Sequence, residues 1–162
     1  MKLLQDILFE VDILEVAGST HAAIANVYFD TRKIRKDALF VAVRGTLTDG
    51  HQYINQAIEK GAVAIVAEEL PLIKLERLTY IIVKDSSKAL GVIASNFYDN
   101  PSQKLNLVAV TGTNGKTSVV SLLHQFYQSL AIKTGVLSTI VNKIGFQEVP
   151  SSHTTAVAVS IN

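Results

Sequence analysis

The sequence predicts an α/β protein in two parts: an N-terminal α/β domain with a largely parallel sheet, then an incomplete α/β unit of P-loop type. Three observations predict it. Short apolar runs alternate with segments of helical periodicity, the pattern of strand–helix–strand units covered on both faces. The polar stretch Asn100-Pro101-Ser102-Gln103-Lys104 interrupts that alternation once. An apolar run follows and ends in Thr111-Gly112-Thr113-Asn114-Gly115-Lys116-Thr117-Ser118, ahead of another helical pattern.

Lys2 to Phe9 predicts a short amphipathic helix with Leu3, Leu4, Ile7 and Leu8 on its buried side. Val27-Tyr28-Phe29 predicts a short strand running into Asp30-Thr31-Arg32. Leu39 to Val43 is apolar throughout and predicts a buried strand, followed by the polar loop Arg44 to Gly50. Tyr53 to Lys60 carries Ile54, Ala57 and Ile58 at helical spacing, with Gly61 as the residue that ends the helix. Ala62 to Val66 and Tyr80 to Val83 predict two more buried strands, and Ser87 to Tyr98 a helix with Leu90, Ile93, Ala94 and Phe97 on one face. Pro101 cannot continue that helix and disfavours helical backbone at Asn100. Residues 1–99 are therefore expected to form one domain, 100–104 a linker, and 105–162 the beginning of a second domain.

In the second part, Leu105 to Val110 predicts a buried strand and the segment after Lys116 a helix. Val119, Leu122, Leu123, Phe126, Tyr127 and Leu130 make an apolar stripe expected to be core, and Thr134-Gly135 is expected to close the helix. Gly135 to Val141 predicts a further strand, with Ile144 to Val149 pairing to it. His124 is expected at the surface or the edge of the core. Roughly 60 residues are too few for a nucleotide-binding domain, so the chain is expected to be an N-terminal fragment.

A strand, a glycine-containing loop and a helix N-terminus make an anion cradle, because free backbone N–H groups converge there and the helix dipole adds positive character. Lys116 would reach terminal phosphates, and the Thr117 hydroxyl would serve a Mg²⁺ ion. The spacing departs from G-x-x-x-x-G-K-[ST], since position 110 is valine and the nearest glycine before Gly115 is Gly112. This is a phosphate loop of another kind, which disfavours a generic P-loop NTPase.

Composition bounds the remaining classes. A net charge of +1 argues against a nucleic-acid-binding face, and the absence of cysteine removes disulfides and thiolate metal sites. No apolar run approaches the roughly 18 residues of a membrane span. A cytoplasmic protein without membrane insertion is expected.

The loop Thr111 to Thr117 resembles the ATP loop of the Mur ligases, the amide-forming enzymes of peptidoglycan precursor synthesis. Asp30-Thr31-Arg32, Ala38 to Gly45, Asp49-Gly50-His51 and Ala57 to Ala62 resemble the N-terminal domain shared by the members adding the third amino acid (MurE) and the terminal dipeptide (MurF). The loop form, Leu137 to Ile140 and His153-Thr154-Thr155 favour the first. The resemblance implies an ATP-dependent acid–amino-acid ligase acting on UDP-N-acetylmuramoyl-L-alanyl-D-glutamate through an acyl phosphate, with ATP and Mg²⁺. It places ATP on Gly112, Thr113, Asn114, Gly115, Lys116, Thr117 and Ser118, with Lys116 as the catalytic group and Thr117 as a Mg²⁺ ligand. It places the UDP substrate on Phe29, Thr31, Thr46, Leu47 and Thr48, and its muramoyl-peptide end on Thr154 and Thr155. Thr31 stands where serine is commonest in the family, and Ala156-Val157 where many relatives have Pro-Asp. His21, His51 and His124 receive no role. A dipeptide-adding ligase and a non-catalytic UDP-sugar-binding module remain as alternatives, and the identity of the third amino acid is not legible.

Overall fold

The computed structural model describes residues 1–45, 48–69, 74–138 and 141–150, and the chain divides into two units after Lys104. The first unit is built on a five-stranded sheet. Its strands are β2 (Ile13–Ala17), β4 (Asn26–Tyr28), β5 (Ala38–Val41), β6 (Ala62–Ala67) and β7 (Thr79–Val83), in the spatial order β2-β7-β6-β5-β4. The pairs β4–β5, β5–β6 and β6–β7 are parallel, and β2 closes one edge antiparallel to β7. A separate antiparallel pair joins β1 (Lys2–Leu3) to β3 (Ala23–Ile24).

The central strands β5, β6 and β7 are apolar except for Thr79, whose hydroxyl donates to the Ser19 carbonyl at 2.6 Å, because both faces are covered. Phe40, Ala42, Ile65, Ala67, Tyr80 and Ile82 form one core with Ile34 and with Ile54 and Ala57 of α2 (Ile54–Glu59). Alternation along the strands sends Leu39, Val41, Ala64, Val66, Ile81 and Val83 to the other face, all buried. There α3 (Ser86–Phe97) packs on α1 (Leu4–Ile7) and β4, burying Leu4, Ile7, Leu90 and Ile93. Each fully buried aliphatic chain of this kind contributes roughly 1.5–3 kcal/mol, so this double-faced core dominates the stability of the unit.

Two boundaries differ from expectation. The N-terminal helix begins at Leu4 because Lys2 and Leu3 are taken up by the β1–β3 ladder, which leaves Leu3 exposed. A 3-10 turn, Gly50–Tyr53, precedes α2, and Asp85 caps α3 by accepting the Lys88 amide at 2.9 Å.

In the second unit, α4 spans Lys116–Ser129, and β8 (Gly135–Val136), β9 (Val141–Ile144) and β10 (Gln147–Pro150) form an antiparallel sheet in the order β10-β9-β8. Four expectations are corrected here. Leu105 to Val110 forms no strand, since no described strand pairs with it, and Leu105, Leu107 and Val108 are exposed. The α4 stripe is not core: Val119, Leu122, Phe126 and Leu130 are exposed, and His124 is the buried residue of the helix. The helix ends at Ser129, five residues before Thr134, because Ala131 adopts a left-handed φ of 57° and Ile132 donates back to Tyr127. β8 is only two residues long, and Ile144 belongs to β9 of a hairpin whose return strand is β10. Among the described residues, no helix is long and apolar enough to cross a membrane.

Candidate functional site

Phosphate-loop geometry is set by two glycines. Gly115, at φ 79°, is the left-handed residue from which α4 departs, and Gly112 has φ 147°. No atom lies within 4 Å of a Cβ built on Gly115 and only the Asn114 carbonyl, at 3.8 Å, near one on Gly112, so conformation rather than space requires glycine. The first helical bond, Val119 N–H to the Gly115 carbonyl, is 2.9 Å. The Lys116 ammonium turns back across the loop and donates to the carbonyls of Gly112 at 2.5 Å and Thr113 at 3.1 Å. Residues 112 to 116 and Ser118 are exposed and Thr117 is half-buried, so the loop presents its backbone and one cation at a helix N-terminus. The loop and helix form as expected, whereas the preceding strand does not.

In the first unit, the parallel strands bring a second set of residues to one edge of the sheet. Tyr28 stands beside Phe40 in register, so Phe29 to Thr31 and Val43 to Gly45 leave the sheet at the same, C-terminal edge. Ligands of open parallel sheets bind outside that edge. Phe29 is half-buried. Thr31 is 7 % exposed; its hydroxyl donates to Gln56 Oε1 of α2 at 2.5 Å, and its carbonyl accepts from Lys60 at 2.9 Å. Arg32 grips Asp30 at 2.8–3.1 Å, and these bonds hold the Asp30 carboxyl below the usual carboxylate range. Thr48 is exposed and its carbonyl accepts the Gly45 amide at 3.1 Å. Thr46, Leu47, Thr154 and Thr155 lie outside the described residues.

Sequence reasoning missed what closes the base of that loop. Arg44 and Asp49 form an antiparallel bridge, and Gly50 N–H donates to the Val43 carbonyl at 2.8 Å. Any side chain at position 50 would meet the Val43 backbone at 2.7 Å. Asp49 Oδ1 accepts from the His51 amide at 2.9 Å and stands 2.6 Å from His51 Nδ1. His51 Nε2 accepts the Glu68 amide at 2.9 Å. Glu68 Oε1 accepts the amide and hydroxyl of Ser86, at 3.1 and 2.7 Å, and Ser86 Oγ accepts the Arg44 amide at 3.2 Å. The Arg44 guanidinium stands 3.5 Å from Asp49, 3.4 Å from Glu68 and 3.1 Å from Glu69. The circuit ties the loop to the end of β6 and the start of α3. The Ser86 amide and hydroxyl hold the Glu68 carboxyl below its ordinary range, helped by Arg44; the His51 amide and ring do the same for Asp49. The only signal in sequence was Asp49-Gly50-His51, an aspartate two residues before a histidine at a turn.

A cavity of about 570 Å³ opens at the opposite edge of the sheet, lined by Met1, His21, Asp37, Arg77 and Thr79 among others, and none of the described sequence-predicted site residues borders it.

Residues 23–98 match the family model described as Mur ligase family, catalytic domain, and residues 110–162 match the Mur ligase middle domain. The chain is 49 % identical over 160 residues to the UDP-N-acetylmuramoyl-L-alanyl-D-glutamate–2,6-diaminopimelate ligase of Cytophaga hutchinsonii, covering 98 % of this chain and 33 % of that relative. It is 42 % identical to the enzyme of the same name from Clostridioides difficile, covering 98 % of this chain and 32 % of the relative. A solved structure of a ligase of that name superposes with a TM-score of 0.71 at 21 % identity, over 99 % of this chain and 32 % of that one. MurF from Acinetobacter baumannii superposes with a TM-score of 0.59 at 20 % identity, over 79 % of this chain and 28 % of that one; both show a shared fold. The chain thus spans about a third of the length of the curated relatives it matches. On these grounds the chain belongs to the Mur ligase family and is a homologue of its diaminopimelate-adding ligases.

Proposed function

We propose that the chain supplies the UDP-binding domain and the opening of the ATP-binding domain of a cytoplasmic ATP-dependent ligase. That enzyme joins 2,6-diaminopimelate to UDP-N-acetylmuramoyl-L-alanyl-D-glutamate. The observation that carries the proposal is the Gly112–Gly115 loop: two left-handed glycines and a lysine turned over the mouth of a 14-residue helix. Diaminopimelate is the amino acid named for the relatives, and the proposal carries it over on that likeness.

In the proposed reaction the substrate carboxylate takes the γ-phosphoryl group of ATP, giving an acyl phosphate and ADP. The diaminopimelate amine then attacks the acyl carbon and phosphate leaves. Backbone N–H groups of the loop and the helix N-terminus hold the phosphates, and Lys116 exchanges its two carbonyl partners for phosphate oxygens. Such a loop acts by positioning and charge neutralisation. The Thr117 hydroxyl offers one oxygen to Mg²⁺. Among the described residues no group of three or more acidic or histidine side chains stands ready for a metal. A Mg²⁺ bound with the phosphates would take the Thr117 hydroxyl as one oxygen ligand, in keeping with that ion's preference for oxygen donors. In the first unit Phe29, Thr31 and the loop through Thr48 take the UDP end; the assignment of the muramoyl peptide to Thr154 and Thr155 rests on the family resemblance alone.

Titration of the 162-residue chain by NMR and calorimetry tests both halves. UDP is expected to shift Phe29, Thr31 and Thr48, and Mg·ATP to bind weakly at residues 112–118. Lys116→Ala should weaken Mg·ATP by about 10- to 100-fold, the scale of a charge-assisted contact. Shifts from UDP confined to the His21–Arg77 cavity, or unaltered Mg·ATP affinity in Lys116→Ala, would sink the assignment.

A further inference from the structure

His51 is the one residue of the polar circuit that joins the loop directly to the main chain of a core strand's end. Its ring is largely enclosed, with 14 % side-chain exposure. A backbone N–H can only donate, so the Glu68 amide at 2.9 Å makes Nε2 an acceptor. The proton then sits on Nδ1, which donates to Asp49 Oδ1 at 2.6 Å. The ring is thus used at both ends with opposite polarity: a donor toward a loop carboxylate, an acceptor from the residue that follows β6. Asparagine or glutamine can reproduce one of those contacts, not both.

The other bonds of the circuit show what the ring adds. Asp49 keeps the His51 amide and Arg44 if the imidazole is removed, so the local turn survives. Glu68 keeps Ser86, so the junction of β6 with α3 survives. The direct tether, the bond from the loop to the main chain that follows β6, is what goes, and the Glu68 amide loses its acceptor, while Arg44 still reaches Ser86, Glu68 and Glu69. Gly45, Thr48 and Gly50 hang from the loop side of that tether through the Gly45–Thr48 and Gly50–Val43 bonds.

We propose that His51, as the neutral Nδ1–H tautomer, is a positioning residue that fixes Gly45, Thr48 and Gly50 against the end of β6 and so sets the affinity of this edge of the sheet for a nucleoside diphosphate. The ligand half rests on the reading that UDP binds here; the tether half does not.

The test compares the wild-type chain with His51→Ala, His51→Asn and His51→Gln by amide hydrogen exchange and by UDP titration. In His51→Ala the Gly45 and Gly50 amides are expected to exchange at least about tenfold faster while those of Val66 and Ile81 keep their rates, a local opening of the kind exchange resolves. UDP affinity should fall about tenfold in the same variant. His51→Gln, with an oxygen for the Glu68 amide, and His51→Asn, with an N–H for Asp49, should each recover part of both effects. Unchanged Gly45 and Gly50 exchange overturns the tether. So does acceleration shared equally with Val66 and Ile81, since that marks general destabilisation. Freed loop amides with undiminished UDP affinity overturn the ligand half. Failure of the wild-type chain to bind UDP defeats the substrate reading alone, because the exchange rates still decide whether His51 holds the loop.

Discussion

Glu68 accepts two bonds from Ser86 through one oxygen and has Arg44 3.4 Å from the other. Each contact favours the charged carboxylate, so the folded-state pKa lies below the unfolded value of about 4.3. A depressed folded pKa means that the unfolded chain binds the proton first on acidification. The stabilisation is therefore complete above the unfolded pKa and is lost as pH falls through it toward the folded one. Asp49 and Asp30 carry the same sign. Melting followed from pH 7 to pH 3 should show Tm falling below about pH 5, and Glu68→Gln should start lower at pH 7 and fall less steeply. Profiles that run parallel would show that Glu68 titrates alike in both states. These acids also mark how far a site is legible residue by residue. The phosphate loop announces itself because its glycines and lysine are adjacent in sequence. The circuit around His51 stays hidden, since Arg44, Asp49, Glu68 and Ser86 meet only after three strands have aligned their C-terminal ends.

Elements were legible where sequence period and packing coincide. β5, β6 and β7 are apolar runs but for Thr79 because a parallel sheet buries both faces; β6 and β7 stand within a residue of their expected places, and β5 ends two residues early, at Val41. The same logic misplaced Leu105 to Val110. An apolar run states what a segment would bury, not whether a partner strand stands beside it, and Leu107 is 76 % exposed. The α4 stripe fails for the same reason: periodicity gives the apolar face and is silent on what covers it, so Phe126 lies 58 % exposed. The end of α4 was misread because the left-handed terminal residue is Ala131 rather than glycine. In α3 the pattern succeeded despite Gly91, an exposed helical glycine with no atom within 4 Å of a built Cβ. Gly91→Ala should therefore raise stability by about 0.5–1 kcal/mol, by relieving the entropic cost of glycine in a helix. Chemical denaturation would show it as a higher midpoint at constant slope, and an unmoved or lowered midpoint would mean that the packing of α3 needs the bare position.

At the scale of the whole molecule, the two units differ in how much apolar surface they remove from water. Apart from Val136, every buried apolar residue described lies between Leu4 and Ala94, on the two faces of one sheet. Residues 105–150 instead expose Leu105, Leu107, Val108, Leu122, Phe126, Leu130, Leu137, Ile144 and Phe146. Marginal stability is the small surplus of burial over conformational entropy, so the described part of the second unit, with one buried apolar residue, contributes little surplus of its own. The first unit has its own core and a sheet whose five strands all lie within residues 13–83. Residues 1–104 alone should consequently fold, with dispersed amide resonances and a Tm within a few degrees of the main transition of the 162-residue chain. They should also keep the UDP response of Phe29, Thr31 and Thr48, since every residue of that edge and of the His51 circuit lies inside them. The longer chain should bind a dye specific for exposed apolar surface and associate as its concentration rises, and the shorter should do neither. A collapsed spectrum for residues 1–104 would mean that the sheet depends on residues after Lys104. A well-folded 1–104 that has lost its UDP response, where the longer chain keeps it, would instead place part of the nucleotide site in the second unit.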